Sequence, residues 1–263
     1  MITENQIDDF QRDGAVVVRG VFADWIDRMA EGVAENMEAP GEYASENDVS
    51  EGRFFDDYCN WTRIAAFEDV ARNSPAAELA ARAMRSQTAQ FFHDHVLVKE
   101  PGTPKPTPWH QDAPYYFVEG TQTVSIWIPL DPVQDASLRF IAGSHKWDKL
   151  VRPVSWSDDS DFYDGDQDWT PVPDPDASPE DTTILEWAME PGDAVLFDYK
   201  TAHGARGNAT QNRRRALSLR WVGDDARYVE RPGRTSPPFP GHGMSAGERL
   251  REDWFPILYR TAK

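Results

Sequence analysis

The chain has 263 residues, of which 40% are hydrophobic and 12% are aromatic, and it carries a formal net charge of −18. This composition predicts one folded domain, and the strong negative charge argues against nucleic acid and anionic membranes as partners. No apolar run suits a transmembrane helix, the N-terminus lacks signal-peptide features, and Cys59 is the only cysteine, so we expect a cytoplasmic protein without disulfides.

The N-terminal third carries the signals of helices and one strand. A capping-box sequence at residues 3–6 predicts a first helix that Gly14 ends, and Asp24 is a candidate cap for a second. Ser74 followed by Pro75 predicts the start of a further, alanine-rich helix. The expected ranges are 4 to about 12, about 25–37 and 76 to about 90 for the helices, and 15–19 for the strand.

Beyond this helical part, short apolar runs separated by turns such as Pro191-Gly192-Asp193 predict β-strands. The expected strands are 91–99, 123–130, 138–141, 194–199 and 216–222. We therefore expect a single domain over 1–263, with a helical layer over about 1–90 packed on a β-sandwich or barrel over about 91–230.

The segment 155–181 differs in composition from the rest of the chain. Between Asp158 and Asp181 it contains ten acidic residues, several prolines and the aromatic residues Phe162, Tyr163 and Trp169. Two interpretations stay open from the sequence: a solvated surface excursion, or a lid over a site in the β-scaffold.

A pattern typical of a metal site is formed by His110, Asp112 and the distant His203. His110 and Asp112 are two positions apart, so in a strand both side chains point to the same side. His203 follows an apolar β-type run and precedes a glycine. Two imidazoles and one carboxylate occupy one face of an Fe(II) ion and leave three positions open, so the sequence predicts such a site.

A competing set, His93-Asp94-His95, has the same spacing but lies in a more apolar strand. We favour the interpretation that these histidines are partly buried and hydrogen-bonded to their neighbours over the interpretation that they bind a metal.

An ordered series of segments resembles the phytanoyl-CoA dioxygenase superfamily of iron- and 2-oxoglutarate-dependent oxygenases, over most of the chain. Each segment is weak alone, but the series is specific. The segments are 14–20, 93–102, 109–112, 125–130, 143–145, 191–193, 203–204 and 214–217.

The resemblance implies a double-stranded β-helix core (jelly-roll, cupin-like) in which His110, Asp112 and His203 bind Fe(II). It implies that Arg214, eleven positions past His203, holds 2-oxoglutarate, although a structural ion pair is an alternative for this arginine. Gln111 and Trp127 match positions near the cosubstrate. O₂ and 2-oxoglutarate would serve to hydroxylate an unactivated C–H, with release of succinate and CO₂, and ascorbate is expected to support activity in vitro. The carboxylate of Asp112 argues against a halogenase.

Several residues are candidates for contact with the substrate, with core packing as the alternative for the aromatic ones. The candidates are Trp109, Tyr115, Tyr116, Phe117, Lys99 and Arg220. Arg220 shares strand parity with Arg214 and is expected to meet a substrate anion or an internal aspartate. The acidic surface disfavours a coenzyme A thioester, so a small metabolite or natural-product intermediate is predicted.

Two other functions stay open at this point. A catalytically idle regulatory protein would keep the fold, the metal and 2-oxoglutarate, whereas a zinc or manganese cupin-type isomerase or hydrolase would not need Arg214. A monomer or small homo-oligomer is expected.

Overall fold

The computed structural model describes residues 1–46, 53–103, 106–134, 137–155, 160–165, 168–177, 182–208 and 210–262. Within them the α-helices are α1 Glu4–Asp13, α2 Ile26–Glu38, α3 Ala65–Asn73 and α4 Ala76–Ala83. The strands are β1 Ala15–Val18, β2 Ser45–Glu46, β3 Phe54–Tyr58, β4 Thr88–Lys99, β5 Thr107–His110, β6 Val118–Glu119, β7 Thr123–Pro129, β8 Leu138–Ile141, β9 Ile184–Glu186, β10 Ala194–Phe197, β11 His203–Ala205, β12 Arg214–Val222, β13 Arg227–Tyr228 and β14 Ile257–Arg260. None of the described helices is long and apolar enough to cross a bilayer.

Two antiparallel sheets form the β-scaffold. The large sheet has the strand order β1-β10-β7-β12-β4-β3-β2, with β14 also paired to β4. The small sheet has the order β5-β11-β8-β9, and β6 pairs with β13 in a separate ribbon. From β1 to β4 in this order, neighbouring strands of the large sheet come from distant parts of the chain, as in a jelly roll. The expected fold, mostly β with an N-terminal helical layer on a jelly-roll core, is confirmed.

The two faces of the large sheet have different partners, because successive side chains of a strand alternate between faces. On β12, Leu217 and Leu219 pack with the helices, in one hydrophobic cluster with Phe10 of α1 and Val33 of α2. Ala216 faces the other way and belongs to the cluster between the two sheets. Even-numbered residues of β12 up to Arg220 therefore point into the interior of the jelly roll.

The start of α1 confirms the predicted capping box. Thr3 Oγ1 accepts a hydrogen bond from the Gln6 backbone N–H at 3.3 Å, and Gln6 Oε1 accepts one from the Thr3 backbone N–H at 3.0 Å. Gly14 ends the helix with a φ of 82°, a conformation that residues with a Cβ rarely adopt. The chain thereby turns directly into β1.

Two helix predictions were wrong in detail, and one helix was missed. Asp24 is not a cap, since it lies inside a 3₁₀ turn and the residue before α2 is Trp25, which makes no side-chain capping bond. The alanine-rich helix α4 ends at Ala83 because the chain turns at Arg85 (φ 52°) and enters β4, where pairing with β12 and β14 overrides helix propensity. Helix α3 was not predicted.

Candidate metal and cosubstrate site

The small sheet brings the two distant histidines of the predicted metal site together. His110 ends β5, His203 begins β11, and the two residues are cross-strand partners in the antiparallel pairing. Asp112 lies two residues past His110, immediately before a 3₁₀ turn formed by Ala113–Tyr115. Strand pairing, rather than nearness in the chain, therefore places both imidazoles beside one carboxylate.

The three side chains converge on one point. Asp112 Oδ1 is 3.7 Å from His110 Nε2 and 3.9 Å from His203 Nε2. One ligand atom from each residue lies within 4.8 Å of the other two, and all three residues are buried. Atoms that bind one ion at about 2 Å are about 3 Å apart in adjacent positions, so a small inward shift completes a facial set. Among the described residues no other such group was found.

Backbone carbonyls orient both imidazoles. His110 Nδ1 is 2.8 Å from the carbonyl oxygen of Pro108, and His203 Nδ1 is 2.9 Å from that of Thr201. A carbonyl can only accept, so each Nδ1 carries the proton and each Nε2 presents a lone pair. Burial, and then the neighbouring His110, lower the pKa of His203 to about 3, which keeps it neutral and able to bind a metal.

Asp112 is held as a carboxylate. Burial opposes its charge, but the positive charge of Arg220 lowers its pKa well below the ordinary value. Its Oδ2 accepts a hydrogen bond from Ser125 Oγ at 2.9 Å and lies 3.5 Å from Arg220 Nη2. Oδ1 is left facing the histidines, so the residues present match the donor set of a ferrous ion.

The competing histidines have other partners. His93 Nδ1 donates to the Asp94 carbonyl at 3.0 Å, and His95 Nε2 is 3.4 Å from Asp56 Oδ2. The Asp94 carboxylate accepts hydrogen bonds from the backbone N–H groups of Asn60 and Trp61 instead. This agrees with the predicted interpretation as hydrogen-bonded histidines.

Arg214 lies on the inner face of the large sheet. It is 5% exposed, and its guanidinium carbon is 5.7 Å from the ring centroid of Trp127. Its cross-strand partner on β4 is Lys99, which is also buried. Burial lowers the pKa of Arg214 to about 10, and burial followed by the charge of Arg214 lowers the pKa of Lys99 to about 7. Two basic side chains are therefore held side by side in the interior.

Two buried polar atoms lie in the same region of the interior. Ser218 and Trp127 are cross-strand partners on β12 and β7, and Ser218 shares its face with both Arg214 and Arg220. Neither Ser218 Oγ nor Trp127 Nε1 has a hydrogen-bond partner among the described residues. Buried donors and cations of this kind suit an oxygen-rich dianion such as 2-oxoglutarate. Lys99, predicted as a substrate contact, is in register with Arg214 and lies in this region.

Gln111 does not reach this region. Its Nε2 donates to the carbonyl of Lys200, and its Oε1 accepts from the Val151 N–H at 2.8 Å. The predicted role near the cosubstrate is replaced by a structural one, since both ends of the amide hold neighbouring loops together.

A cavity of about 290 Å³ opens beside Asp112. Three of the predicted substrate contacts line it: Tyr115, Tyr116 and Arg220. Further lining residues that the sequence did not suggest as substrate contacts include Tyr58, Asp56, His93, His95 and Phe162. Strand parity could have indicated His93, which is the cross-strand partner of Arg220. Tyr58 and Asp56 lie on β3, which was not predicted.

The other two aromatic candidates lie elsewhere. Trp109 is on the opposite face of β5 from His110, and the guanidinium carbon of Arg139 is 5.3 Å from its ring. Phe117 packs edge-on against Phe92, with ring centroids 5.3 Å apart, inside a hydrophobic cluster. Neither residue is among those that line the cavity beside Asp112. Trp109 and Phe117 therefore pack against other side chains of the protein, which was the alternative interpretation for them.

Comparison of the sequence with models of known protein families gives a match over most of the chain. The sequence model of the phytanoyl-CoA dioxygenase (PhyH) family matches residues 10–216. The chain belongs to the phytanoyl-CoA dioxygenase family. The predicted resemblance is thereby confirmed, and the chain has the fold of the iron- and 2-oxoglutarate-dependent oxygenases with a His-Asp-His metal site geometry.

Curated relatives of this PhyH-family chain are distant in sequence. A probable phytanoyl-CoA dioxygenase of Caenorhabditis elegans is 28% identical over 188 residues, which cover 68% of this chain and 54% of that protein. A methylphosphonate hydroxylase of Gimesia maris is 29% identical over 140 residues, which cover 53% of this chain and 47% of that protein. The matched region thus spans about half the length of these relatives.

Solved structures with the same fold include enzymes with different reactions. The epimerase SnoN from nogalamycin biosynthesis, in complex with Fe³⁺, alpha ketoglutarate and nogalamycin RO, has a TM-score of 0.76 at 21% identity, covering 97% of this chain and 98% of SnoN. EctD from S. alaskensis, with 2-oxoglutarate and 5-hydroxyectoine, has a TM-score of 0.70 at 19% identity, covering 94% and 85%. At such identities the likeness establishes the fold.

In this PhyH-family chain the acidic segment contacts the walls of the cavity. Phe162 lines the cavity and packs on Tyr115 with ring centroids 4.9 Å apart. Tyr163 donates a hydrogen bond to the Pro114 carbonyl at 3.0 Å. Of the segment 155–181, residues 156–159, 166–167 and 178–181 lie outside the described residues. The described part places an aromatic side chain over the site.

Proposed function

We propose that this chain is an Fe(II)- and 2-oxoglutarate-dependent dioxygenase that hydroxylates an unactivated C–H of a small organic molecule, with release of succinate and CO₂. The observation that carries the proposal is the convergence of His110, Asp112 and His203 beside a cavity, with Arg214 buried on the inner face of the large sheet. Family membership supports the reaction class.

The metal ligands in this proposal are two neutral imidazole nitrogens and one carboxylate oxygen. Bound Fe(II) would supply the activation of O₂ that organic side chains cannot provide. The protein holds the Nε2 atoms of His110 and His203 in place through their Nδ1 bonds, and it keeps Asp112 ionised beside Arg220. Three ligands on one side leave the opposite side open for cosubstrate and O₂.

The cosubstrate is assigned to the region between the metal site and Arg214. A guanidinium binds a carboxylate in two-point geometry, so Arg214 would hold the distal carboxylate of 2-oxoglutarate. Lys99 adds a second positive charge, and the indole N–H of Trp127 and the hydroxyl of Ser218 offer hydrogen bonds in between. Ascorbate would serve in assays as a reductant that keeps the iron ferrous.

The substrate is assigned to the cavity beside Asp112. Its volume of about 290 Å³ suits a small molecule, and its walls include Tyr58, Tyr115 and Phe162. The segment that carries Phe162 would act as a lid that excludes bulk water, which protects the substrate radical chemistry expected at such a site. The Gimesia maris relative, named as a methylphosphonate hydroxylase, supports a small substrate for this chain.

The experiment that tests this function follows 2-oxoglutarate. Iron-loaded protein without O₂ is titrated with 2-oxoglutarate, and the visible absorption band of the ferrous–2-oxoglutarate complex is recorded. O₂ is then admitted with candidate substrates and succinate is measured. We expect the band to form and succinate to increase with substrate. A folded, iron-loaded protein that shows the band but never consumes 2-oxoglutarate under any condition would favour the idle regulatory alternative.

A further inference from the structure

One guanidinium nitrogen of Arg220 makes no hydrogen bond to the described residues. Arg220 is 5% exposed and lines the cavity. Its Nε donates to the Tyr116 hydroxyl at 3.1 Å, and its Nη2 is 3.5 Å from Asp112 Oδ2. Its Nη1 is buried and has no hydrogen-bond partner among the described residues. A buried donor without an acceptor costs free energy, so Nη1 marks a place where a ligand oxygen would be stabilised.

A complementary acceptor lies on the neighbouring strand. His93 is the cross-strand partner of Arg220 and lines the same cavity. Because its Nδ1 donates to the Asp94 carbonyl, its Nε2 carries a lone pair, and this atom is also buried without a partner among the described residues. Burial and then the charge of Arg220 lower the pKa of His93 well below its ordinary value, so the ring is neutral. The cavity therefore offers a charged donor and a neutral acceptor.

The charges of the loaded site favour an anion at this place. The ferrous ion contributes two positive charges, and Arg214 and Arg220 contribute one each. Asp112 contributes one negative charge and 2-oxoglutarate two, so the site keeps an excess positive charge before Lys99 is considered. A buried excess charge is unfavourable unless it is balanced, and a substrate anion would balance it.

We infer that the substrate is a small organic oxyanion, a carboxylate or a phosphonate, that accepts hydrogen bonds from Arg220 Nη1 and donates one from a hydroxyl or amine group to His93 Nε2. The inference rests on the proposed function. Tyr58, Tyr115 and Phe162 would contact the apolar part of the molecule. Because Nη2 of the same guanidinium lies beside Asp112, the oxidised C–H would be close to the anionic group.

The test uses the loaded but inactive protein, so that binding is measured apart from turnover. Protein with Fe(II) and 2-oxoglutarate is kept free of O₂, and each probe is titrated while the visible band is recorded. The carboxylate probe is 3-hydroxypropionate with its neutral amide as control, and the phosphonate probe is methylphosphonate. We expect at least one oxyanion to shift the band, with an affinity about 10- to 100-fold above that of the neutral amide.

Two variants assign the contacts. In Arg220→Gln we expect the oxyanion affinity to fall about 10- to 100-fold, and in His93→Phe about tenfold, while 2-oxoglutarate still produces the band. Arg215→Gln is the matched control, because Arg215 lies on the same strand but pairs with Asp131 on the outer face. Its oxyanion affinity should equal that of the unchanged protein.

The outcomes separate the inference from the proposed function. Failure of the unchanged protein to form the band would count against the proposed function itself. A normal band that no oxyanion shifts, or that the neutral amide shifts as strongly, overturns the inference, as does unchanged oxyanion affinity in Arg220→Gln. If Arg220→Gln does not form the band, because the lost contact with Asp112 disturbs the metal site, two other measurements decide whether the inference holds. These are the comparison of the oxyanion with its neutral amide and the oxyanion affinity of His93→Phe. The carboxylate and phosphonate arms identify the class of oxyanion.

Discussion

Three consecutive arginines around the start of β12 differ in their surroundings, because neighbouring side chains point to opposite faces of the sheet. Arg213 pairs with Glu100, and Arg215 pairs with Asp131, both at the outer surface of the large sheet. Arg214 points the other way and is buried beside Lys99 and Trp127. The alternation of strand side chains therefore selects one guanidinium of the three for the interior.

The first prediction concerns this guanidinium. Arg214→Met should weaken 2-oxoglutarate binding by about 2–5 kcal/mol, because a buried charge partner of the distal carboxylate is removed. The measurement is an anaerobic titration of the iron-loaded protein with 2-oxoglutarate. Arg215→Met, which removes the same charge from the outer face, should bind normally. Equal affinity in both variants would contradict the assignment of Arg214 to the distal carboxylate, and activity that needs neither Arg214 nor 2-oxoglutarate would favour a zinc or manganese enzyme.

Lys99 is expected to make the binding of 2-oxoglutarate sensitive to pH. Burial, and then the charge of Arg214, lower its pKa to about 7, so in the free protein the amine loses its proton as the pH rises above neutrality. The dianion 2-oxoglutarate favours the protonated amine. By linkage, affinity should be nearly constant below about pH 7 and should fall above it, by at most about tenfold per pH unit.

The second prediction is that Lys99→Met removes this pH dependence. The variant should bind 2-oxoglutarate more weakly near pH 6 and show a nearly flat affinity up to about pH 9. Dissociation constants measured across this range test it. Lys149→Met is the control, because Lys149 lies at the surface and pairs with Asp168. A pH dependence that persists in Lys99→Met would assign the titration to another group.

At the scale of elements, the junction of α1 and β1 helps to position His203, a proposed metal ligand, through Thr201. The Gly14 carbonyl accepts hydrogen bonds from the Thr201 hydroxyl at 2.8 Å and from the Asp198 N–H at 2.9 Å. The carbonyl of Thr201 in turn orients His203. A Cβ on Gly14 would meet the His145 ring and the Thr201 hydroxyl well inside van der Waals distance.

The third prediction compares two glycines with positive φ. A Cβ on Gly20 (φ 62°) would have no atom within 4 Å, whereas one on Gly14 (φ 82°) would make the close contacts just described. Gly20→Ala should lower the free energy of unfolding by about 1–2 kcal/mol through backbone strain alone. Gly14→Ala should lower the free energy of unfolding by about 1–3 kcal/mol more than Gly20→Ala does, because of overpacking, and should also weaken iron binding. Denaturant unfolding and metal titration measure the two effects. Equal losses in both variants would show that the packing against Thr201 is unimportant.

Elements with local signals were predictable from the sequence. The capping box of α1, the αL glycine that ends it and the short apolar strands β7, β8 and β10 follow from residue patterns within a few positions. The end of α4 was not predictable in this way, because it is set by pairing of β4 with β12, more than a hundred residues further along the chain. Helix α3 and strand β3 gave no signal of comparable strength.

The site shows the same division. Spacing and family resemblance indicated the metal triad and Arg214, which the structure brings to one interior. The residues that line the cavity were only partly predicted. His93 lies beside Arg220, and Tyr58 lies beside His95, because their strands pair in the sheet. Gln111 was predicted near the cosubstrate from the family resemblance, but it lies past the end of β5 and its amide binds backbone groups of other loops.

At the scale of the whole molecule, the net charge of the chain is negative, whereas one face of the large sheet carries buried basic side chains. The chain has 45 acidic and 27 basic residues, yet Lys99, Arg214 and Arg220 are all buried on the inner face of the large sheet. Small anions that enter the jelly roll leave the repulsive field and meet these cations. A large anion that remains partly at the surface stays in the repulsive field.

The last prediction concerns size and charge together. A long-chain acyl coenzyme A thioester such as phytanoyl-CoA should not stimulate 2-oxoglutarate decarboxylation, because its phosphates would face a surface of net charge −18 and the cavity beside Asp112 holds only about 290 Å³. The measurement compares succinate release with the thioester, with the free acid and with small oxyanions, at about 0.05 M and about 0.5 M salt.

If surface repulsion were the sole barrier, salt would restore turnover of the thioester, since it shortens the Debye length to a few ångströms. We expect no such recovery, because the cavity volume also excludes it. Tight binding and turnover of the thioester at low salt would contradict both arguments and place the substrate outside the cavity.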